Sequence, residues 1–184
     1  RPGAALLAAL DERLALMPEV ARAKATLGLG ILDTSREQHV LEAAWSNVVA
    51  RGAELGVAPP PRQAVDALFR AQIGAAKWIQ RQAVLVPPEP PTTEDQAQAR
   101  AALDESLRPA LIRIGDRIAF LIAALPRETG DEPRATAGHD AGYKVGGAES
   151  VPAALQTALG RHDLPDSHLR AMNEALISLG RPPE

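Results

Sequence analysis

Apolar residues recur in steps of three and four along most of this chain, and nearly all of them are aliphatic. Leu6, Leu10, Leu14, Met17 and Ala21 form one such stripe. Phe69, Ile73, Ala76 and Gln80 line up in a second, and Leu103, Leu107, Leu111, Ile114, Ile118 and Leu121 in a third. That spacing is the signature of helices with one buried face. No run alternates as a half-buried strand would. Composition points the same way: 46% of the residues are hydrophobic but only 3% are aromatic. The core must be Leu, Ala, Ile and Val, with Trp45, Trp78, Phe69, Phe120 and Tyr143 as the large rings. Ala and Leu favour helix over sheet. The expected fold is all-α, a bundle of about six helices.

Proline and glycine punctuate the stripes. Residues 4–27 read as a first helix, kinked near Leu14 because Pro18 cannot donate a hydrogen bond to it. Gly28 and Gly30 end that helix. Residues 34–56 read as a second, capped by Asp33 or Thr34, and residues 61–85 as a third. Residues 86–93, Val-Pro-Pro-Glu-Pro-Pro-Thr-Thr, predict a stiff extended connector. A helical pattern resumes over 94–125. Residues 126–150, rich in Gly, Pro, Asp and Thr, predict a mobile loop, and short helices over 151–160 and 165–180 follow. The 184 residues suffice for one sizeable domain. The expectation is one all-α domain over 1–184, its first part (1–86) carrying most of the candidate site and its second (94–184) completing the core.

Several function classes are excluded. Lys and Arg total 20 against 23 Asp and Glu, a net charge of −3. That is no footprint for nucleic acid, and no aromatics interleave with the basic residues. No apolar stretch is long enough to span a membrane. Cysteine is absent, which removes disulfides, thiol catalysis and Cys-based zinc sites. His39, His139, His162 and His168 show no metal-binding spacing and read as surface residues. Gly142–Gly147 lacks the spacing of a phosphate loop. Trp45 and Trp78 read as core or interface anchors, and Lys77 as a surface residue.

The charged residues of the first part are more informative. Lys24 follows Arg13 by eleven residues, three helical turns, so both cations share a face of the first helix. Asp33, Arg36 and Glu37 share a face at the start of the second. Buried cations are costly unless an anion pairs with them. The natural partner is a small, highly anionic ligand. Taken singly, each of these residues also fits a solvated surface role.

Leu10-Asp-Glu-Arg13-Leu, Val20-Ala-Arg-Ala-Lys24, Asp33-Thr-Ser-Arg36-Glu37 and Phe69-Arg-Ala-Gln-Ile73 through Gln80 together resemble the all-α chorismate mutase family. The overall length, the proline connector and Arg100-Ala-Ala-Leu-Asp104 resemble its secreted subclass. The resemblance implies a cofactor-free, metal-free Claisen rearrangement of chorismate to prephenate. By position it implies that Arg13 and Arg36 bind carboxylates. Lys24 and Gln80 would donate to the ether oxygen, and Asp33 and Glu37 would lie around the substrate hydroxyl. Arg100 would complete the site from the fourth helix. It also implies a homodimer, exported to the periplasm or secreted; a start at Arg1 rather than Met fits a processed chain.

Two positions depart from the family pattern. Gln80 stands where some members have Glu. Ala76 stands where many have Ser or Thr, and it removes a carboxylate contact. Ala76 keeps open a second reading, a non-catalytic helical interaction module. A third reading, isochorismate–pyruvate lyase, shares the same pericyclic logic.

Overall fold

The computed structural model describes residues 2–31, 34–83, 90–126 and 152–180. Asp33, the connector over 84–89, and His139 with most of the glycine-rich 126–150 stretch lie outside them. Among the described residues every regular element is helical. The helices are α1 (Pro2–Ala15), α2 (Met17–Thr26), α3 (Thr34–Leu55), α4 (Arg62–Ala83), α5 (Thr93–Ala101), α6 (Arg108–Ala123), α7 (Ala153–Leu159) and α8 (Asp166–Leu179). α1 and α2 succeed each other directly, as do α5 and α6. The eight helices thus make six rods.

Both divisions trace to proline. The first rod is not merely kinked: it breaks at Leu16, and Pro18 sits in the first turn of α2. There its missing N–H costs nothing, because the first amides of a helix have no intrahelical acceptor. The second division is a six-residue π-helical stretch, Ala102–Leu107. Pro109 follows it and cannot donate to Glu105. The backbone widens instead, and the Arg108 N–H reaches back to the Leu103 carbonyl.

α4 is the central rod. It packs against α1, α2, α3 and α8, while α6 covers α1 and α3, α5 lies on α2, and α7 lies on α1. One cluster of buried side chains runs from α1 to α8. Leu6, Leu10 and Leu14 meet Leu68, Ile118, Ile122, Leu155, Leu159 and Met172 there, all less than 2% exposed. Burying a side chain of this size contributes roughly 1.5–3 kcal/mol. Trp45 and Trp78 pack partly buried against the cluster, as anchors.

Polar contacts fix the rods in register. Asn47 donates to Asp116 Oδ1 at 2.7 Å, joining α3 to α6. Arg117 pairs with Glu12, joining α6 to α1. Asp11 of α1 receives Arg161 at 2.6 Å and His162 at 2.8 Å. His162 is therefore no surface residue: its side chain is only 7% exposed. The burial of its ring against a carboxylate holds the turn after α7 onto α1. His168 is half-buried too, with its ring centroid 6.2 Å from that of Trp78. His39 is exposed, as expected.

Two helix ends rely on glycine. At Gly28, φ is +67°, and Leu29 donates to the Lys24 carbonyl at 2.8 Å while Gly28 donates to Ala25. Gly56 repeats the arrangement at the end of α3, with Val57 donating to Gly52 and φ again +67°. In each case the left-handed residue lets the chain satisfy the last carbonyls of the helix. The first of these turns folds back over Lys24, whose Nζ lies 3.5 Å from the Gly30 carbonyl.

Gly28→Ala forces a Cβ into a left-handed conformation. It should destabilise the fold by about 1–2 kcal/mol, and thermal melting should show a drop of roughly 2–8 °C.

Candidate active site

Four helices carry most of the candidate site residues on their ends or faces. Arg13 lies in the last turn of α1 and Lys24 in the last turn of α2. Arg36 and Glu37 lie in the first turn of α3, and Ala76, Lys77 and Gln80 in the last two turns of α4. Arg13 and Met17, four residues apart across the break at Leu16, both point toward the interior.

Arg13 is the most strained member electrostatically. Its side chain is half-buried, and its Nε is shut off from solvent with no hydrogen-bond partner. Burial, and then the neighbouring Arg36 charge, hold its guanidinium down to about 10. It is still a cation at neutral pH. A base whose folded pKa lies below its unfolded value weakens the fold wherever it is charged. That penalty is relieved only as pH rises through about 10. Arg36, by contrast, is exposed at the rim. Two guanidinium groups within repelling distance, one of them desolvated, create a strong demand for an anion.

Gln80 shows a related feature without charge. It is only 7% exposed, its Oε1 lacks a partner, and its Nε2 donates to Met17 Sδ at 3.3 Å. Thioether sulfur is a weak acceptor. The amide is thus held in place by a contact that a better acceptor would readily replace. Lys24 follows Met17 by seven residues, two turns along the same face of α2, and is half-buried.

Glu37 and Lys77 join α3 to α4. Their ion pair spans 2.6 Å between α3 and α4, with side chains 29% and 23% exposed. Lys77 is therefore not the free surface residue that its sequence position suggested. Its spacing of three from Gln80 was the available signal, since residues so spaced share a helix face. Met17 as the acceptor for Gln80 carried no sequence signal at all. Ala76 is buried, 7% exposed, one turn before Gln80. It offers the site a methyl group and no donor.

Arg13 is thereby linked to Arg36, Glu37 to Lys77, and Gln80 to Met17. Arg100 is not drawn in: it is exposed on α5 and makes no hydrogen bond or ion pair among the described residues. Asp33 lies outside the described residues. Two surface cavities lie elsewhere among the described residues. One of about 600 Å³ lies between α2 and α5, and one of about 480 Å³ between α4 and α8. Neither is lined by Arg13, Lys24, Arg36 or Gln80. Among the described residues no group of His, Asp or Glu is placed to hold a metal ion.

Chemically, the cluster can bind a compact dianion and donate hydrogen bonds to an oxygen that gains negative charge. It offers no nucleophile paired with a base.

Comparison with known proteins shows the fold, and a family likeness over the first part of the chain. No protein of curated function matches the sequence. The secreted chorismate mutase from Yersinia pestis has a similar structure, with a TM-score of 0.60 and 21% identity. The similarity covers 94% of this chain and 95% of that one, and shows a shared all-α fold. Residues 4–81 match the chorismate mutase type II family. They span α1 to α4 and hold every member of the cluster just described. Over residues 4–81, then, the chain is similar to the chorismate mutase type II family, and over nearly its whole length it shares the all-α fold of a secreted chorismate mutase.

Proposed function

We propose that this protein is a chorismate mutase and that Arg13, Lys24, Arg36, Glu37 and Gln80 form the site at which it rearranges chorismate to prephenate. The observation that carries the assignment is Arg13. A buried guanidinium beside a second cation, with an orphaned Nε, fits a dianionic substrate and is otherwise a cost to the fold.

The reaction is unimolecular. The ether C–O bond breaks as a C–C bond forms between the enolpyruvyl group and the ring, with no proton transfer in the step. Acceleration must then come from holding a compact conformer and from fixed donors at the oxygen as charge builds on it. Arg13 and Arg36 grip the two carboxylates, which guanidinium forks do bidentately. Lys24 and Gln80 donate to the ether oxygen, the Gln80 amide leaving Met17 for the better acceptor. Glu37 accepts from the ring hydroxyl, and Asp33 lies beside it. Arg100, exposed on α5, completes the site in this reading. Ala76 leaves one substrate carboxylate to backbone or water.

We further propose that α1 to α8 act as one domain, supported by their shared core. The protein is exported, to the periplasm or beyond, and works as a homodimer. Support for export comes from the fold held in common with a secreted enzyme. No described helix is long and apolar enough to cross a membrane.

Purified protein should convert chorismate to prephenate, followed by loss of chorismate absorbance and by acid conversion of the product to phenylpyruvate. Release of pyruvate instead would assign a lyase. Arg36→Ala should cost about 3–4 kcal/mol of transition-state stabilisation, roughly a few hundredfold in kcat/KM. Arg161→Ala, which removes only an exposed pair with Asp11, should leave the rate unchanged; equal losses would refute the assignment.

Because an amide donates at any pH, the rate should stay level from pH 6 to about pH 9. Gln80→Glu should confine activity to acid pH, where the carboxyl is protonated and can donate. A wild-type profile collapsing above pH 6 would contradict the role of Gln80.

Arg13→Leu should abolish turnover and yet raise the melting temperature of the ligand-free protein by ~3 °C, since it removes a poorly compensated buried charge. A lower melting temperature would show that Arg13 serves the fold.

A further inference from the structure

We infer that Lys77 is a positioning residue of this site, acting on substrate through Glu37; the inference rests on the site assignment given above. Lys77 follows Ala76 on α4 and precedes Gln80 by one turn. Its ammonium lies 2.6 Å from Glu37 Oε1, across the α3–α4 contact.

The surroundings separate this pair from ordinary surface pairs. Arg51–Glu54 has side chains 39% and 58% exposed, and Arg62–Glu42 46% and 51%. Lys77 and Glu37 are at 23% and 29%. Partial desolvation strengthens an ion pair that exposure would leave almost without effect. The pair joins α3 to α4, as the more exposed Arg62–Glu42 pair also does, so it fixes a direction in space.

Glu37 needs such a hold. It follows Arg36 directly, and Arg36 stands near enough to Arg13 to repel it. A loose carboxylate there would turn toward those guanidinium groups and neutralise the charge that the dianion requires. Lys77 draws it to α4 instead. Oε1 is engaged by the ammonium, which leaves Oε2 to accept from the substrate hydroxyl. Lys77 thus keeps one carboxylate inside a cationic site without letting it occupy the anion position.

The test is steady-state kinetics with chorismate at pH 7.5 on Lys77→Gln, Glu37→Gln, the double variant and Lys77→Arg. Lys77→Gln should raise KM about tenfold with little change in kcat, because it weakens a contact made in ground and transition states alike. The double variant should be no worse than Glu37→Gln alone, since both substitutions disable one unit. Lys77→Arg should recover most of the loss. The melting temperature of Lys77→Gln should stay within ~2 °C of wild type, separating positioning from folding.

A KM within about twofold of wild type, or single losses that multiply in the double variant, would overturn the inference. Normal wild-type turnover with an indifferent Lys77 overturns this inference alone. A wild-type protein inert toward chorismate overturns the site assignment and the role of Lys77 together.

Discussion

The arrangement of this protein depends on a repulsion. Arg13 is half-buried next to Arg36, and desolvation and like charge together hold its guanidinium down to about 10. Nothing in the packing of an Ala- and Leu-rich core requires a cation at that point. The fold tolerates it because the surrounding interface is large: α4 is packed by α1, α2, α3 and α8, and the aliphatic cluster is continuous through all of them. Stability gathered across the whole bundle offsets a local penalty at its basic end. The same trade recurs on a smaller scale in Gln80, whose buried amide settles for a sulfur acceptor and leaves its carbonyl oxygen orphaned. Sites built to stabilise a transition state commonly hold such groups ready at a cost to the resting protein.

Proline organises where these groups point. Pro18 converts what would be one long helix into two, and the break lets Arg13 and Met17 both face inward across it. Pro109 spreads α5 and α6 apart through a π-helical stretch, so that α5 can lie on α2 while α6 covers α1 and α3. Gly28 then folds the chain back over the end of α2 at Lys24. The cluster is therefore fixed by helix ends, where backbone geometry is set by proline and glycine rather than by side-chain packing.

The rods were legible in the sequence because helical stripes are local: Leu6, Leu10 and Leu14 announce α1 without reference to anything else. The spacing of Arg13, Lys24 and Arg36 is local in the same way and suggested the candidate site, although the break at Leu16 puts Arg13 and Lys24 on separate helices. What lies between helices was not. Glu37 and Lys77 are forty residues apart, and Asp11 and His162 a further hundred and more. Only tertiary packing turns an apparent surface lysine or histidine into a partner. The π-helical stretch was hidden too, because Pro109 forbids one hydrogen bond without dictating how the chain compensates. Arg100 remains where sequence and structure join least closely: its context suggests the site, while its side chain is exposed on α5.

The central claim is that Arg13 is buried to meet a dianion. Calorimetric titration of the protein with a dicarboxylate mimic of the rearrangement's transition state tests it directly, with Arg13→Leu as the comparison. The account predicts one-to-one binding to wild type that falls at least a hundredfold, about 2.7 kcal/mol, on removal of the guanidinium. Binding of equal strength with and without Arg13 would contradict it.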